Sequence, residues 1–305
     1  MISKLGYLVC MMKESSNAMS SPYTNKPEPF FRGHPHLVVV EEDDCVGLNV
    51  GYEALEWRYE AFADYLFEWL VEFTTSFSDL RKLNPTNCLR MIRRAANIVY
   101  STDKYDRRGE FGELMLHAIL RELFNTEPAV NKLFYKSASN DTVKGFDAVH
   151  VRKNSAGLIE LWLGEVKFYS NIQKAIASVT TEIQDHLAAK KMREEFMCVG
   201  AHVDSDWEYA SYVKQLLDRN TSLDDIFRVI CIPVLLTYES AVVKNAQEVS
   251  ERFLSELRIE LKTIKGTFDE KNLCSSIKIQ LILLPLKSKE VLVKTLDAKL
   301  KALQA

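Results

Sequence analysis

The stretch Leu158-Ile-Glu-Leu-Trp-Leu-Gly-Glu-Val-Lys-Phe168 is apolar on both faces until its last residues, the pattern of a strand buried in the middle of a sheet. Side chains alternate across a strand, so Glu165 and Lys167 leave from one face, behind Leu161 and Leu163. A carboxylate and an ammonium at the end of a buried strand each cost on the order of several kcal/mol if left unpaired. A metal ion and a phosphate would offset that cost. Eighteen residues upstream of Glu165 stands Asp147, in Gly145-Phe-Asp147, on a strand expected over 144–152. Gly145 and Gly164 lie beside the two carboxylates, where a missing side chain lets backbone or phosphate come close. The competing reading is an ordinary ion pair on a sheet edge, because Asp followed by Glu-X-Lys is a common string.

If the groups converge, charge assigns their roles. Asp147 and Glu165 are hard oxygen ligands for Mg²⁺, or for Mn²⁺ in its place, and the main-chain carbonyl of Val166 is a third donor. A metal there would lower the pKa of bound water and neutralise charge developing on a phosphoryl group. Lys167 could orient or deprotonate the attacking water, or stabilise the transition state; its point charge suits each role. A further acid comes from Arg108-Gly-Glu-Phe-Gly-Glu113, at the start of a helix expected from Asp106 to 124. On a helical wheel Glu113 falls between Leu120 and Phe124, whereas Glu110 shares a polar strip with His117 and Arg121. A carboxylate on a buried face requires a partner, so Glu113 is the first choice and Glu110 the second. His117 and His150 read as core or supporting residues rather than ligands. Lys136, Lys144, Gln173 and Lys174, with Ser170 and Asn171, are candidate DNA contacts, each with plain solvation as its alternative.

Around this centre, helices and strands alternate in a way that points to an α/β sheet covered by helices. Helices are expected at 52–77, 87–100, 171–191, 206–218, 241–264 and 287–303. Strands are expected at 37–40, 131–136, 157–168 and 276–285, with a buried strand over 227–238 interrupted by Pro233. Residues 1–36 read as a flexible arm or a misassigned start, 37–104 as a mainly helical N-terminal region for partner contact, and 105–305 as the catalytic domain. The arm is rich in Ser, Asn, Pro and charge over 13–36, and Met11, Met12 and Met19 are alternative starts. His34 and His36 in that arm read as incidental. Arg90, Arg93 and Arg94 form a basic helix edge whose default reading is a solvated face.

The chain has 305 residues, 47% hydrophobic and 27% charged, with a net charge of −3. That is a normal globular balance with no global signature of a nucleic-acid binder, so DNA would have to be met by a local patch or delivered by a partner. No apolar run is long enough to span a bilayer. The six cysteines are scattered without a Cys-X-X-Cys, which argues against a zinc site or disulfide framework and for a reducing cytoplasm.

The helix acid, Gly-Phe-Asp and Gly-Glu-Val-Lys together resemble the PD-(D/E)XK nuclease superfamily, with Phe146 where proline often precedes the aspartate. Residues 107–117, 140–150 and 161–169 resemble more narrowly the HamA family, nuclease subunits of the bacterial Hachiman anti-phage system. That likeness implies a restriction-endonuclease-like core, a mixed central sheet flanked by helices with N-terminal helical additions. It also implies a complex with a HamB-type superfamily 2 helicase, which restrains the nuclease until infection releases it to degrade DNA. Two alternatives stand beside it: a catalytically silent scaffold or regulatory DNA-binding subunit of a helicase complex, and a stand-alone repair or restriction nuclease.

Overall fold

The computed structural model describes residues 21–99, 109–131, 145–271 and 277–305. Its strands are β1 (Val38–Glu42), β2 (Cys45–Leu48), β3 (Tyr52–Glu53), β4 (Glu56–Trp57), β5 (Glu127–Val130), β6 (Ala148–Lys153), β7 (Ile159–Phe168), β8 (Ile230–Glu239) and β9 (Lys278–Leu286). The helices that matter below are α1 (Tyr59–Glu68), α2 (Leu70–Thr74), α3 (Cys88–Val99), α4 (Gly109–Leu123), α5 (Ile172–His186), α6 (Ala189–His202), α7 (Glu251–Asp269) and α8 (Lys289–Gln304). Seven strands make one mixed sheet in the order β1-β2-β9-β8-β7-β6-β5, and β3 pairs with β4 apart from it. β2, β9, β8 and β7 run parallel, β1 and β6 antiparallel to their neighbours in that block, and β5 antiparallel to β6. The fold is therefore the mixed, helix-flanked α/β sheet expected of a nuclease-like core.

The two faces of β7 carry different cover. A β-carbon on Gly112 of α4 would sit 3.1 Å from Phe168 and 3.2 Å from Val166, and one on Gly164 would sit 2.8 Å from Leu116 of α4. The Trp162, Gly164, Val166 and Phe168 face is thus pressed against α4. Glu165 and Lys167 point to the other face, where Glu182 and His186 of α5 meet them. Gly164 exists for this close helix–sheet contact, not for the approach of a phosphate. Pro233 does not interrupt β8: its pairing with β7 merely lapses between Cys231 and Val234, and the ring rests near Gly164.

Several elements differ from expectation for identifiable reasons. Residues 21–36 are not a loose arm. Tyr23, Phe30 and Phe31 are buried, and Glu122 on α4 accepts hydrogen bonds from the Phe30 and Arg32 amides. Three aromatics outweigh the polar composition around them. The acidic stretch after β1 is a tight hairpin turn that returns the chain as β2, which joins β9 in register Cys45↔Leu281. Residues 37–104 and 105–305 therefore share one sheet, and a boundary between them would cut it. The helix expected at 52–77 begins as the β3–β4 hairpin and then breaks at Trp69, which ends α1 and caps α2. The helix expected over 241–264 is two, Ala241–Asn245 and α7, the second capped by Ser250. The strand expected at 131–136 lies earlier, as β5; residues 132–136 are outside the described residues.

Candidate active site

The β6–β7 ladder ends at Ala148↔Gly164, and Asp147 sits where it stops. The Asp147 amide donates to the Gly164 carbonyl at 2.8 Å, and Asp147 Oδ2 accepts from the Val166 amide at 3.0 Å. In an extended strand a residue's N–H and C=O point to the same side, so the Val166 carbonyl also faces the gap left by β6. Gly145, two residues earlier, has φ +149 with open space around it. Its role is the backbone conformation that lets the chain swing into β6.

On the α5 face Glu165 is 1% exposed. His186 Nε2 lies 3.1 Å from Glu165 Oε1, within ion-pair reach but off the hydrogen-bond line. Lys167 Nζ lies 4.0 Å from the other oxygen, Oε2, and Lys167 donates to Glu182. His186 in turn places Nδ1 2.6 Å from Glu195 Oε1 on α6, and the Phe146 ring stacks on its imidazole at 4.6 Å. Burial pushes the Glu165 carboxyl up to about 7, with His186 holding it back and the negative Asp147 adding to the rise. Burial pulls His186 down, but its contacts with Glu165 and Glu195 more than compensate and raise it to about 9. Lys167 is likewise drawn down by burial and held above its ordinary value by Glu182, Glu165 and Asp147. The structure thus brings Asp147, Glu165, Val166 and Lys167 to one place.

Three partners there were not foreseen: Glu182, His186 and Glu195. Two of them carry a readable signal. Glu182 and His186 lie four apart on the helix that follows Glu-X-Lys, so they share one face of it.

The helix glutamates are a different matter. α4 is buried from Glu110 through Arg121 without a break, so the wheel argument that separated Glu113 from Glu110 does not distinguish them. The contacts of α4 with β7 are on the face opposite Glu165 and Lys167. Gln173 and Lys174 are exposed in the first turn of α5, which Asn171 caps by accepting from the Lys174 amide. Lys136 and Lys144 lie outside the described residues. Arg90, Arg93 and Arg94 are exposed on α3. His34 faces Arg58 at 3.1 Å, and His36 occupies a turn with φ 68.

His117 and His150 are core residues, as expected, in a second buried polar cluster. Glu72 on α2 lies 3.2 Å from His117 Nε2 and accepts from Arg121 Nε at 2.5 Å. His117 Nδ1 and His150 Nε2 are 3.3 Å apart, and Thr126 Oγ1 is 2.8 Å from His150 Nδ1. His117 Nε2 stays off the hydrogen-bond line to Glu72, and the remaining contacts link Thr126, His150 and His117 in one buried row. Arg121 also donates to the carbonyls of Tyr23 and Thr126, pinning the N-terminal segment and the entry to β5.

Among the described residues no group of three or more His, Cys, Asp or Glu side chains stands ready to enclose a metal. Mg²⁺ needs less than that, since it binds through one or two carboxylates and keeps several waters. Asp147, Glu165 and the Val166 carbonyl are a donor set of that kind, and Glu165 is a deeply buried carboxyl in need of positive charge. Cys45 and Cys231 are buried and Cys198 is exposed; no helix among the described residues is long and apolar enough to cross a membrane. No curated protein gives a match to the chain. A family model for HamA matches residues 30–300, nearly its full length; the chain belongs to the HamA family, proteins associated with Hachiman defence.

Proposed function

We propose that this protein is a Mg²⁺-dependent deoxyribonuclease, the DNA-degrading effector of a Hachiman-type defence system. The observation that carries the reading is the meeting of Asp147 with Glu165-Val166-Lys167 at the broken end of the β6–β7 ladder. Asp147, Glu165 and the Val166 carbonyl would hold the cation, which supplies Lewis-acid activation of water and of the phosphoryl oxygen. Lys167 keeps its proton, because Glu182, Glu165 and Asp147 all favour the cation. That makes it an electrostatic stabiliser of the phosphoryl group rather than a base in this conformation. His186 Nε2 lies 3.1 Å from Glu165 Oε1 and Lys167 Nζ 4.0 Å from Oε2, so the cation would share this carboxylate with two positively charged neighbours. A superfamily 2 helicase of the HamB type is the partner this reading calls for: with a net charge of −3 the chain is a poor general DNA binder, so DNA would be presented to it.

The second reading is a silent regulatory subunit, favoured by the ion pairs that engage Lys167 with Glu182 and Glu165 with His186. Plasmid DNA incubated with the purified chain and Mg²⁺, alone and with its helicase, separates the two. Degradation by the native protein and none by a Glu165→Ala, Lys167→Ala double variant is the expected result. Absence of cleavage under both conditions would leave the silent subunit standing.

A further inference from the structure

We infer that His186 is the positioning residue of this site: clamped between Glu165 and Glu195, it fixes the Glu165 carboxylate so that one oxygen is turned toward the incoming cation. The inference rests on the nuclease reading above. Its basis is a continuous buried chain from α6 through α5 to β7. Glu195 Oε1 takes His186 Nδ1 at 2.6 Å, and His186 Nε2 addresses Glu165 Oε1 at 3.1 Å. Phe146, one residue before Asp147, stacks on the same imidazole with ring planes 26° apart. One side chain therefore sets both halves of the donor set, Glu165 through its nitrogen and Asp147 through the aromatic ring of its neighbour. With Glu195, Glu165 and His186 each at least nine-tenths buried, the imidazole has no solvent-side alternative. An imidazole held between two carboxylates limits where the terminal one can lie, which is how supporting partners tune metal ligands.

The test is Mn²⁺ binding by isothermal titration of the full chain, with folding followed by circular dichroism. His186→Leu keeps roughly the volume and an apolar contact with Phe146 but removes both nitrogens, and should weaken Mn²⁺ binding about 10- to 100-fold. His186→Gln, whose amide can still donate toward Glu165, should retain most of the affinity. Glu195→Gln loosens the far end of the line and should fall between them; it also serves if His186→Leu does not fold. A purely structural His186 would lower thermal stability in all three while leaving the affinity of the folded protein at the native value, and that result overturns the inference. Native protein that binds no Mn²⁺, or binds it equally as Asp147→Asn, overturns the reading of the site as well.

Discussion

This molecule buries two histidine clusters on opposite faces of the same strands, and they solve the same problem in opposite ways. On the α4 side, Glu72 is matched by Arg121, and His117 and His150 are driven down by burial and stay neutral. The formal charges of Glu72 and Arg121 cancel there. On the α5 side, the described groups are Asp147, Glu165, Glu182 and Glu195 against Lys167 and His186, four carboxyls to two cations. There the histidine is driven up, to about 9, and a buried carboxyl is pushed up to about 7. A closed, neutral network serves to hold elements together. Strongly shifted groups gathered at the end of a strand are a signature of sites tuned for chemistry, and the proposed metal-dependent reading draws on it.

The sharpest way to break the comparison is to neutralise one glutamate on each side. Glu165→Gln should lower Mg²⁺-dependent DNA cleavage roughly a hundred- to a thousandfold, on the scale of losing a group that stabilises the transition state. Its unfolding free energy should stay within about 1 kcal/mol of native, because a buried charge is removed. Glu72→Gln should do the reverse. It leaves Arg121 buried without its counter-charge and should cost about 3 to 5 kcal/mol in denaturant unfolding, with Mn²⁺ affinity unchanged in the folded protein. Equal stability losses in both variants would show that the two clusters do the same job.

How much of this was legible beforehand follows the same division. Asp147, Glu165 and Lys167 could be read because strand alternation is strict and β7 is apolar enough to make two charges conspicuous. The placement of β7 inside a mixed sheet followed from the same run. Glu195 was not legible, and His186 only as the neighbour of Glu182 on one helix face, because both reach Glu165 through the packing of α5 on β7 and of α6 on α5, which no local periodicity encodes. The wheel argument for Glu113 over Glu110 loses its basis for another reason. The wheel argument assumes a helix with a wet side, and α4 has none. Residues 21–36 misled because composition averages over a window, whereas three aromatics at 23, 30 and 31 suffice to dock it.

The two clusters should also give stability opposite slopes with pH. His117 and His150 sit below the ordinary 6.5 when folded. Below that pH the unfolded chain takes up protons that the folded one refuses, so this cluster's contribution is full above 6.5 and shrinks as pH falls. His186 runs the other way: its contribution is full below 6.5 and is lost as pH rises through about 9. Glu165 has the same sense, full below 4.5 and lost through about 7. Urea unfolding from about pH 5 to about pH 9 should therefore show His186→Gln flattening the alkaline limb and His117→Gln with His150→Gln flattening the acid limb. Both limbs responding to one variant would mean the clusters are coupled through the sheet.

The smallest expected effect tests where DNA would meet the proposed site. Lys174 is exposed in the first turn of α5, the helix whose far end carries His186. It is joined to the site by a rigid element without touching any of its charges. If DNA lies along that helix start, Lys174→Ala should weaken binding several-fold and reduce the slope of log K against log salt by about 1. Mn²⁺ affinity and the pH profile should not move, because nothing in the Glu165–His186–Glu195 line depends on Lys174. An unchanged salt slope would place the DNA path elsewhere, with Arg90, Arg93 and Arg94 on α3 as the next exposed basic group to substitute. Either outcome keeps recognition separate from the proposed cation site, since phosphate contacts sum over exposed charges while the cation would depend on Asp147, Glu165 and the Val166 carbonyl at the end of the ladder.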